Sequence, residues 1–355
     1  MLSLPGHMDV NHFFVKQVLP HFDNHAYMLD QDLYEQMRSH YNYNGKQNVS
    51  YFPFPGKRST NAISTLWIQF KKVRYVLKFI RKNNIQCVYF LSYDTLSLAL
   101  YAKRFKTCRI ILMNHHNIAR AVRNPVKKFL FRRLSEMHHA IYAFPGAAVQ
   151  LQHQLGLRNF ILTDYHLNER TKPATQRAYD PRSIVVYAPS YSNDSRKIID
   201  LLNATGNDPI IVTARVSLKV YNAYKIRFTT KLFHAYQSND IFEQNMVNAD
   251  YILLLYTDDY LYRTSGMLFD AIAYEKPVIT DNRFLYEAYL EKYRLGIFVE
   301  NAASVGEAIS RIDSREYGQY VDAIRTYKRS YSAEKIGNDI ASKIEAVVTS
   351  KLASP

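Results

Sequence analysis

Short apolar runs alternate with amphipathic stretches along most of this chain, and this alternation limits its possible folds more than any other feature. Runs such as residues 87–91 and 109–113 have the length of strands, and the stretches between them have the apolar spacing of helices. Strands that are separated by helices usually lie parallel, in a sheet that helices cover on both faces. We therefore predict an α/β protein with doubly wound, Rossmann-like sheets.

The pattern divides into two series of elements. The first predicts strands 1–4, 26–29, 87–91, 109–113, 140–143 and 160–162 and helices 11–19, 61–82, 95–105, 125–137 and 147–155. The second predicts strands 183–188, 210–213, 251–255, 278–280 and 297–300, helices 196–203, 266–275, 284–293, 304–311 and 333–348, and a helix or hairpin over 221–233. The second series repeats the architecture of the first.

A polar stretch without apolar periodicity separates the two series. A chain of 355 residues also exceeds the size at which one core usually keeps growing. We predict a first domain over 1–168, a linker over 169–182 and a second domain over 183–331. The closing segment, 332–355, has a helix with no strand after it, and we predict that it can return to the first domain.

Neither a membrane-spanning helix nor a signal peptide is predicted. No stretch approaches the roughly 20 unbroken apolar residues that a spanning helix needs, and the apolar N-terminus is too short for a secretion signal. The two cysteines, Cys87 and Cys108, lie in or beside apolar runs, which favours reduced core thiols over a disulfide or a metal site. We expect a cytoplasmic protein.

The net charge of +15 belongs almost entirely to the first half. Residues 1–170 contain 23 Lys and Arg against 9 Asp and Glu, whereas residues 171–355 contain 23 against 22. Between Lys57 and Arg133 there are 18 basic residues and one acid, Asp94. Such a concentration predicts an anionic partner for the first domain.

The spacing of these basic residues favours a membrane surface as the partner. Residues 70–82 form a helix with apolar and cationic sides, and a second cluster mixes cations with bulky apolar residues: Arg120, Arg123, Lys127, Lys128, Phe129, Leu130, Phe131, Arg132, Arg133 and Leu134. Anionic headgroups attract such cations, and apolar side chains can enter the interface. A solvated charged face is the alternative for the helix. No zinc-finger, RNA-binding or helix-turn-helix pattern supports a nucleic-acid partner.

Residues 263–266, Arg263-Thr264-Ser265-Gly266, open an apolar helix that ends at Lys276-Pro277. A helix N-terminus has unpaired N–H groups and a partial positive charge, so a small-residue entry beside a strand end suits a phosphate. Asp270, one turn further, is placed to accept hydrogen bonds from a ribose. An ordinary helix with Ser or Thr as its N-cap is the alternative.

The order of elements and the residues of this segment resemble the nucleotide-sugar glycosyltransferases of the GT-B fold, in which two Rossmann-like domains face each other across a cleft. Residues 265–279 and 287–300 are similar to consecutive segments of glycosyltransferase family 4. In the first half, residues 110–117 look like the strand that ends in a histidine in that family. The resemblance implies that the first domain binds the acceptor and the second binds the sugar nucleotide.

The resemblance also implies roles for residues of the second domain. Asp270 takes the place of the carboxylate that holds the ribose hydroxyls, and Ser265 and Gly266 lie where backbone N–H groups meet the diphosphate or sugar. Arg263, with its neighbour Thr264, is placed to pair with a phosphate. The family usually has an acid eight residues before the carboxylate, where this chain has Tyr262; the nearby Asp258 and Asp259 could substitute, or lie in a solvated loop.

Two further groups of residues are predicted to act in the reaction. Arg196 and Lys197 follow a strand where the family keeps cations that stabilise the departing diphosphate, with a solvent-facing helix start as the alternative. His116 or His115, at a strand end in the first domain, could contact the donor sugar or relay a proton, or could be structural. One of His7, Asp9 and His12, which follow the first strand, could supply a general base if the reaction inverts the anomeric centre; a structural role is the alternative for each.

These predictions together indicate a peripheral enzyme at the inner face of the cell membrane. It would move a hexose-type sugar from a nucleotide diphosphate donor, a UDP- or GDP-sugar, to a lipid-linked or polysaccharide acceptor in bacterial surface glycan biosynthesis. No Asp-x-Asp triplet suggests a metal site, so we expect catalysis without a divalent cation or other cofactor. The alternatives are a sugar-nucleotide epimerase or polyol-phosphate transferase of the same fold, or a nonenzymatic nucleotide-binding adaptor.

Overall fold

The computed structural model describes residues 8–23, 25–31, 33–35, 38, 50–54, 61–91, 93–105, 108–113, 117–137, 140–143, 155–156, 161–163, 177–190, 192–205, 209–228, 231–260 and 265–349. The chain divides into two compact units. Unit 1 comprises Met1–His166 together with Ala333–Pro355, and unit 2 comprises Leu167–Ser332. The last helix of the chain therefore belongs to the same unit as the N-terminal half.

Unit 1 contains two parallel sheets. A two-stranded sheet pairs β1 with β2, and a four-stranded sheet has the order β3-β4-β5-β6. The strands are β1 Ala26–Asp30, β2 Ser50–Phe54, β3 Cys87–Phe90, β4 Arg109–Met113, β5 Ala140–Ala143 and β6 Ile161–Leu162. The helices are Met8–Phe13, which continues as a π-helical turn Phe14–Val18 and a 3-10 turn Leu19–His21, Ala62–Asn83, Thr95–Tyr101 with the 3-10 turn Ala102–Phe105, Asn117–Arg123, Pro125–Met137 and Ala333–Thr349.

The C-terminal helix packs closely on the N-terminal helical segment of unit 1. Gly337 lies so near Gln17 that an added Cβ atom would be 2.6 Å from the Gln17 carbonyl oxygen. The Thr163 hydroxyl, just after β6, donates a hydrogen bond to the Asp339 carboxylate at 3.4 Å. Ile336, Ile340 and Ile344 are buried on one side of this helix.

Unit 2 is built on one parallel sheet with the strand order β12-β11-β10-β7-β8-β9. Its strands are β7 Ile184–Ala188, β8 Ile210–Arg215, β9 Leu232–Phe233, β10 Tyr251–Leu254, β11 Val278–Thr280 and β12 Gly296–Phe298. Counted within the unit, this is the Rossmann order 3-2-1-4-5-6, read from the other edge. The topological switch point of such a sheet lies between its first and fourth strands, here β7 and β10, and ligands bind outside the carboxyl ends at that point.

Helices cover the unit 2 sheet and alternate with its strands. They are Ser195–Ala204, Leu218–Tyr224, Asn239–Asn248, Gly266–Ala273, Arg283–Leu285 with the π-helical turn Tyr286–Leu290 and Glu291–Tyr293, Val305–Ser310 and Ser314–Ser330, with 3-10 turns Asp258–Tyr260 and Ala302–Ser304. The core between them is aliphatic and includes Ile198, Val212 and Leu253. At β12, a Cβ atom on Gly296 would overlap the Val278 carbonyl oxygen, so this position requires glycine.

The α/β fold class and most predicted elements agree with the structure, and the differences have identifiable causes. Residues 221–233 are not a hairpin, since the helix Leu218–Tyr224 is followed by β9, which pairs parallel to β8. The prediction missed β2 and the helices Asn117–Arg123, Asn239–Asn248 and Ser314–Ser330. The helix Asn239–Asn248 buries only two residues and has little apolar periodicity, so a local pattern gives no clear signal for it. The helix Ser314–Ser330 does have apolar residues at helical spacing, at positions 317, 320, 321, 324 and 327, and the prediction overlooked them. The predicted strand 1–4 and residues 147–154 of the predicted helix 147–155 lie outside the described residues.

Part of the stretch predicted as linker is packed against unit 2. The Arg177 guanidinium lies 2.9 Å from the Asp250 carboxylate, at the amino ends of β7 and β10. The ring of Tyr179 stacks on Tyr317, with 4.0 Å between the ring centroids. Residues 177–182 therefore help to hold the amino ends of the central strands of the unit 2 sheet.

Candidate functional site

Buried polar residues gather at the carboxyl ends of β7 and β10, the switch point of the unit 2 sheet. Ser190, Ser192 and Asn193 follow β7 and are each no more than 6% exposed. Tyr256 follows β10 and is also buried. A polar group at this depth normally has a hydrogen-bond partner. A partner within the protein indicates a structural role, and a missing partner indicates a group that is available to a ligand.

Backbone hydrogen bonds join the two loops that carry these residues. The Asp194 N–H donates to the Leu255 carbonyl at 2.7 Å, and the Thr257 N–H donates to the Ser192 carbonyl at 3.2 Å. The Asn193 side-chain amide also donates to the Leu253 carbonyl at 3.4 Å. The loops therefore hold their polar side chains in fixed positions.

Among the described residues of these loops, Ser192 Oγ and Asn193 Oδ1 are buried without a hydrogen-bond partner. The buried Tyr256 hydroxyl interacts with the Ser265 and Ser190 hydroxyls, and burial is the main reason why its pKa is raised. Leaving a buried polar atom unsatisfied costs about 1–3 kcal/mol. Two such atoms beside these hydroxyls at one switch point indicate a place where a polar ligand completes the hydrogen bonding.

The helix Gly266–Ala273 begins beside this cluster. The Ser265 hydroxyl accepts a hydrogen bond from the Met267 N–H at 3.1 Å, so this side chain is an N-cap, as the alternative interpretation proposed. Gly266 is exposed, and a Cβ atom added to it would have no neighbour within 4 Å. The backbone at the helix start is therefore open to an approaching ligand, as a phosphate site requires.

Asp270 lies one turn into this helix and is 9% exposed. Its charge contributes to the raised pKa of Tyr256, so the carboxylate lies within electrostatic range of that side chain. The sequence analysis predicted a phosphate site at this helix start and a ribose site at Asp270. Both groups are thus near the switch point.

The two cations predicted to follow β7 have different environments. Lys197 Nζ lies 2.6 Å from the Asp281 carboxylate and donates to the Tyr256 carbonyl at 2.9 Å, so it links the ends of β10 and β11 to its own helix. Burial raises the pKa of Asp281, and the Lys197 ammonium offsets part of this rise. Arg196 is exposed at the start of the helix Ser195–Ala204, where its backbone N–H donates to Asp194 at 2.8 Å. Arg196 is therefore the more accessible cation of the two.

The sequence interpretation missed an aromatic group at the carboxyl ends of β8 and β9. Tyr236, three residues after β9, is 79% exposed. The Arg215 guanidinium, at the end of β8, lies over the Tyr236 ring at 4.0 Å from its centroid. The sequence pattern that could have indicated this group is a single tyrosine shortly after the apolar pair Leu232-Phe233. We did not recognise it because these residues were predicted as part of a helix or hairpin.

Several predicted site residues cannot be placed in this site. His115, His116, Tyr262, Arg263 and Thr264 lie outside the described residues. Asp9 and His12, predicted to follow the first strand, are in the helix Met8–Phe13, and the side chain of Asp9 is not among those described. Asp258 is exposed in a 3-10 turn, in agreement with the solvated-loop interpretation.

Two remaining predictions concern metal ions and membrane spans. Over the part of the chain that the structure describes, His, Cys, Asp and Glu side chains do not form a group of three that could hold a metal ion. Within the same residues, each helix is too short or too polar to cross a bilayer. Catalysis without a metal stays a prediction.

Comparison with known proteins places this geometry in a recognised fold. No family model and no curated protein sequence matches the chain. A glycosyltransferase from Rickettsia africae ESF-5 superposes over 99% of this chain and 98% of its own, with a TM-score of 0.68 and 11% identity. Sucrose-phosphate synthase from Thermosynechococcus elongatus covers 84% of this chain and 83% of its own (TM-score 0.66, 12% identity). A UDP-N-acetylglucosamine 2-epimerase covers 100% and 96% (TM-score 0.61, 12% identity).

The chain therefore has the GT-B fold, as the sequence resemblance implied. Both units take part in the similarity, because it extends over nearly the whole chain in two of the three cases. Membership of family 4 stays a prediction.

Proposed function

We propose that this protein is a glycosyltransferase that moves a hexose-type sugar from a nucleotide diphosphate donor to a lipid-linked or polysaccharide acceptor in bacterial surface glycan biosynthesis. The observation that carries the proposal is the switch point of unit 2. There the open helix start at Gly266, the Asp270 carboxylate, the unpartnered atoms of Ser192 and Asn193 and the buried Tyr256 hydroxyl lie at the carboxyl ends of the central strands. These groups suit a ligand with phosphates and many hydroxyls.

Each group has a role in this proposal. The helix start at Gly266 stabilises the diphosphate, whose charge grows as the glycosidic bond to the leaving group breaks. Asp270 accepts hydrogen bonds from the ribose hydroxyls. Arg196, with Arg263 and Thr264, adds cationic or hydrogen-bonding groups for the phosphates, and Lys197 positions the loops through Asp281. The reaction is proposed to need no divalent cation, and His115, His116 and Asp9 stay candidates for proton transfer.

The exposed ring of Tyr236, which has the Arg215 guanidinium over it, is proposed to stack on the nucleobase. β7 and β8 separate β10 from β9, so Tyr236 lies about 10–15 Å along the sheet edge from the end of β10, at about 4.8 Å per strand. A nucleoside diphosphate is long enough to reach over this distance. Stacking on an aromatic ring contributes about 1–3 kcal/mol per base, so Tyr236→Ala should weaken nucleotide binding at least fivefold and Tyr236→Phe should not.

A panel of UDP-, GDP-, dTDP- and CDP-sugars tests the donor proposal by thermal shift. A ligand that prefers the folded state raises the melting temperature, by an amount that grows with its affinity. We expect one base to give a clear shift and the matching sugar nucleotide to be consumed when an acceptor extract is added. Failure of the whole panel to shift the melting temperature would contradict the proposal.

An epimerase is the second candidate, because a UDP-N-acetylglucosamine 2-epimerase has the same fold over the full length of this chain. The two activities differ in their products. A transferase releases free nucleoside diphosphate only when an acceptor is present, whereas an epimerase converts one sugar nucleotide to another with no acceptor. Chromatography of a donor incubated with the protein alone separates the two.

We propose that unit 1 holds the enzyme at the cytoplasmic face of the cell membrane. Trp67, Leu100, Val126 and Phe129 are each more than half exposed. They lie on the helices Ala62–Asn83, Thr95–Tyr101 and Pro125–Met137, which pack consecutively against each other. The same helices carry these exposed cations, of which the Lys71 ammonium lies 5.8 Å from the centroid of the Trp67 ring: Lys71, Arg74, Lys78, Arg81, Lys82, Lys127, Lys128, Arg132 and Arg133. Such a surface suits an anionic bilayer.

Sedimentation with anionic liposomes tests this surface. Replacing Lys71, Arg74 and Lys78 with Gln should weaken binding about a hundredfold, at about 1 kcal/mol per cation. The control replaces three exposed unit 2 cations, Lys219, Arg227 and Arg315, and changes the net charge equally. Equal loss in both variants would indicate a general charge effect, and binding that does not depend on salt would contradict the proposal.

A further inference from the structure

Unit 1 contains a cavity of about 610 Å³ that the transferase proposal does not use. Its walls come from the N-terminal helical segment, the start of β1, the helix Ala62–Asn83, the turn into β3 and the C-terminal helix. The volume is within the range of about 300–1,000 Å³ that small-molecule sites occupy. The cavity is therefore large enough for a small ligand.

The interior of this cavity is apolar, and each wall contributes to it. Five of the lining side chains come from five different elements and are each no more than 7% exposed: Val18, Met28, Ile80, Val88 and Ile344. A charged group among such side chains would lose its hydration, at a much higher cost than an uncharged molecule. The lining therefore favours an uncharged, mainly apolar occupant.

Exposed amide side chains mark the side of the cavity that faces solvent. Asn83, Asn84 and Gln86 line it there, at the end of the helix Ala62–Asn83 and in the turn into β3. A ligand can therefore enter the cavity from solvent at this turn.

One lining side chain, that of His25, has a polar atom that lacks a partner. His25 Nδ1 lies 2.6 Å from the Phe22 carbonyl oxygen, which can only accept, so Nδ1 carries the hydrogen. Nε2 of the neutral ring is then an acceptor, and it is buried without a hydrogen-bond partner. A hydroxyl group can donate to this nitrogen, whereas an ether or a carboxylate cannot. His25 therefore favours an occupant with a hydroxyl group.

We propose that the cavity binds an uncharged, mainly apolar alcohol. Its alkyl part lies among the buried side chains of the N-terminal segment, the helix Ala62–Asn83 and the C-terminal helix, and its hydroxyl donates to His25 Nε2. An alkane would leave this nitrogen unsatisfied, and a fatty acid would bring a charge into the apolar interior. The binding does not depend on the proposed sugar transfer.

Displacement of the fluorescent probe N-phenylnaphthylamine from the full chain measures this binding. The probe is uncharged and fluoresces more strongly in apolar surroundings. Decanol, decanoate and methyl nonyl ether are compared as competitors, because they are similar in length and differ at the polar end. We expect decanol to displace the probe about tenfold more effectively than decanoate and about fivefold more effectively than the ether.

The expected order of competitors differs from that of a general charge effect. The net charge of +15 would favour decanoate over decanol at a non-specific surface. Tighter binding of decanoate than of decanol would therefore overturn the proposal. Probe fluorescence that does not rise on addition of the protein would overturn it as well.

Substitutions on the C-terminal helix locate the alcohol in the cavity. Val348→Trp fills the cavity from a half-buried lining position, and Ala346→Trp is the matched control, because Ala346 is exposed and is not a lining residue. Val348→Trp should weaken decanol binding about tenfold or more, and Ala346→Trp should leave it unchanged. If melting temperatures show that Val348→Trp does not fold, Phe79→Trp fills the cavity from the helix Ala62–Asn83 instead. Undiminished decanol binding in the folded filling variant means that the alcohol binds elsewhere and overturns the inference.

His25→Phe tests the partner of the hydroxyl group, since it keeps an aromatic ring and removes Nε2. It should weaken decanol binding about fivefold and leave methyl nonyl ether unchanged, so that the two competitors become equal. A preference for decanol over the ether that persists in His25→Phe would overturn the assigned hydrogen bond.

Discussion

The two ends of the unit 2 sheet bury polar groups in different ways. At the amino end, the Asp250 carboxylate accepts a hydrogen bond from the Val185 N–H at 2.7 Å and pairs with Arg177 at 2.9 Å. The Tyr317 hydroxyl donates to the Asp250 carbonyl at 3.0 Å. Among the described residues at this end, buried polar side chains other than the Tyr251 hydroxyl have hydrogen-bond partners within the protein. These polar groups therefore stabilise the fold.

At the carboxyl end, the buried Ser192 hydroxyl and the Asn193 side-chain carbonyl have no partner. The same strands therefore end in a satisfied network on one side and an unsatisfied one on the other. Unsatisfied groups are costly unless something else completes them. We infer from this difference that the polar groups at the amino ends of the strands stabilise the fold. Ligand binding is expected at the carboxyl ends.

The largest effect on stability is expected from Asp250→Ala. It leaves Arg177 and the Val185 N–H without their buried partner, and breaking one partner of a buried pair costs about 3–5 kcal/mol. The free energy of unfolding from urea denaturation measures it. Asp322→Ala is the matched control, because Asp322 pairs with Arg325 at the surface and should cost less than about 1 kcal/mol. A loss of unfolding free energy no larger than that of the control would contradict the structural role proposed for the amino ends of the strands.

The next effect is on ligand affinity, at the opposite end. Asp270→Asn should weaken nucleotide binding about tenfold to a hundredfold, because a hydrogen bond to a charged group contributes about 1.5–3 kcal/mol. Calorimetry with the nucleotide found in the donor screen measures the change. Asp258→Asn, an exposed acid after the same strand, should leave the affinity unchanged. Similar losses in the two variants would mean that Asp270 acts only through the general charge of the site.

Smaller effects are expected from alanine substitutions at two glycines, one on stability and the other on nucleotide affinity. An added Cβ atom meets nothing within 4 Å at either Gly266 or Gly318, so both alanine variants should fold. Gly318→Ala, inside the helix Ser314–Ser330, should gain about 0.5–1 kcal/mol of stability and keep its nucleotide affinity. Gly266→Ala should keep its stability but weaken nucleotide binding about tenfold, since the methyl group holds the phosphates away from the helix start. Unchanged affinity in Gly266→Ala would place the phosphates elsewhere.

The smallest effect is a pH dependence from Asp281. Its folded pKa is raised above 3.8 by burial, so the folded state holds this proton more tightly than the unfolded state. The free energy of unfolding then falls as pH rises from 3.8 through the raised folded pKa, and is constant above it. Asp281→Asn also loses the Lys197 pair, which lowers stability at neutral pH, but it should flatten the slope in this window. An unchanged slope would show that Asp281 does not contribute.

Local patterns predicted the elements with clear apolar periodicity and failed where that periodicity is weak or interrupted. β4, β5, β11 and the helix Pro125–Met137 were predicted at their observed bounds. The helix Asn239–Asn248 buries only Met246 and Val247, and β2 is an aromatic run that contains Pro53, a residue that argues against a strand. Short elements of this kind are held by the sheet they join, which a local window cannot include.

The sequence by itself determined the α/β class, the basic first half, and the position of Ser265, Gly266 and Asp270 on one helix, because periodicity, charge and helix capping are local properties. Only the tertiary structure decided that β7 lies beside β10, that Lys197 pairs with Asp281, and that Tyr236 lies with Arg215 at the same sheet edge. Those pairings join residues far apart in the chain, and they form because parallel strands bring their carboxyl ends to one edge of the sheet.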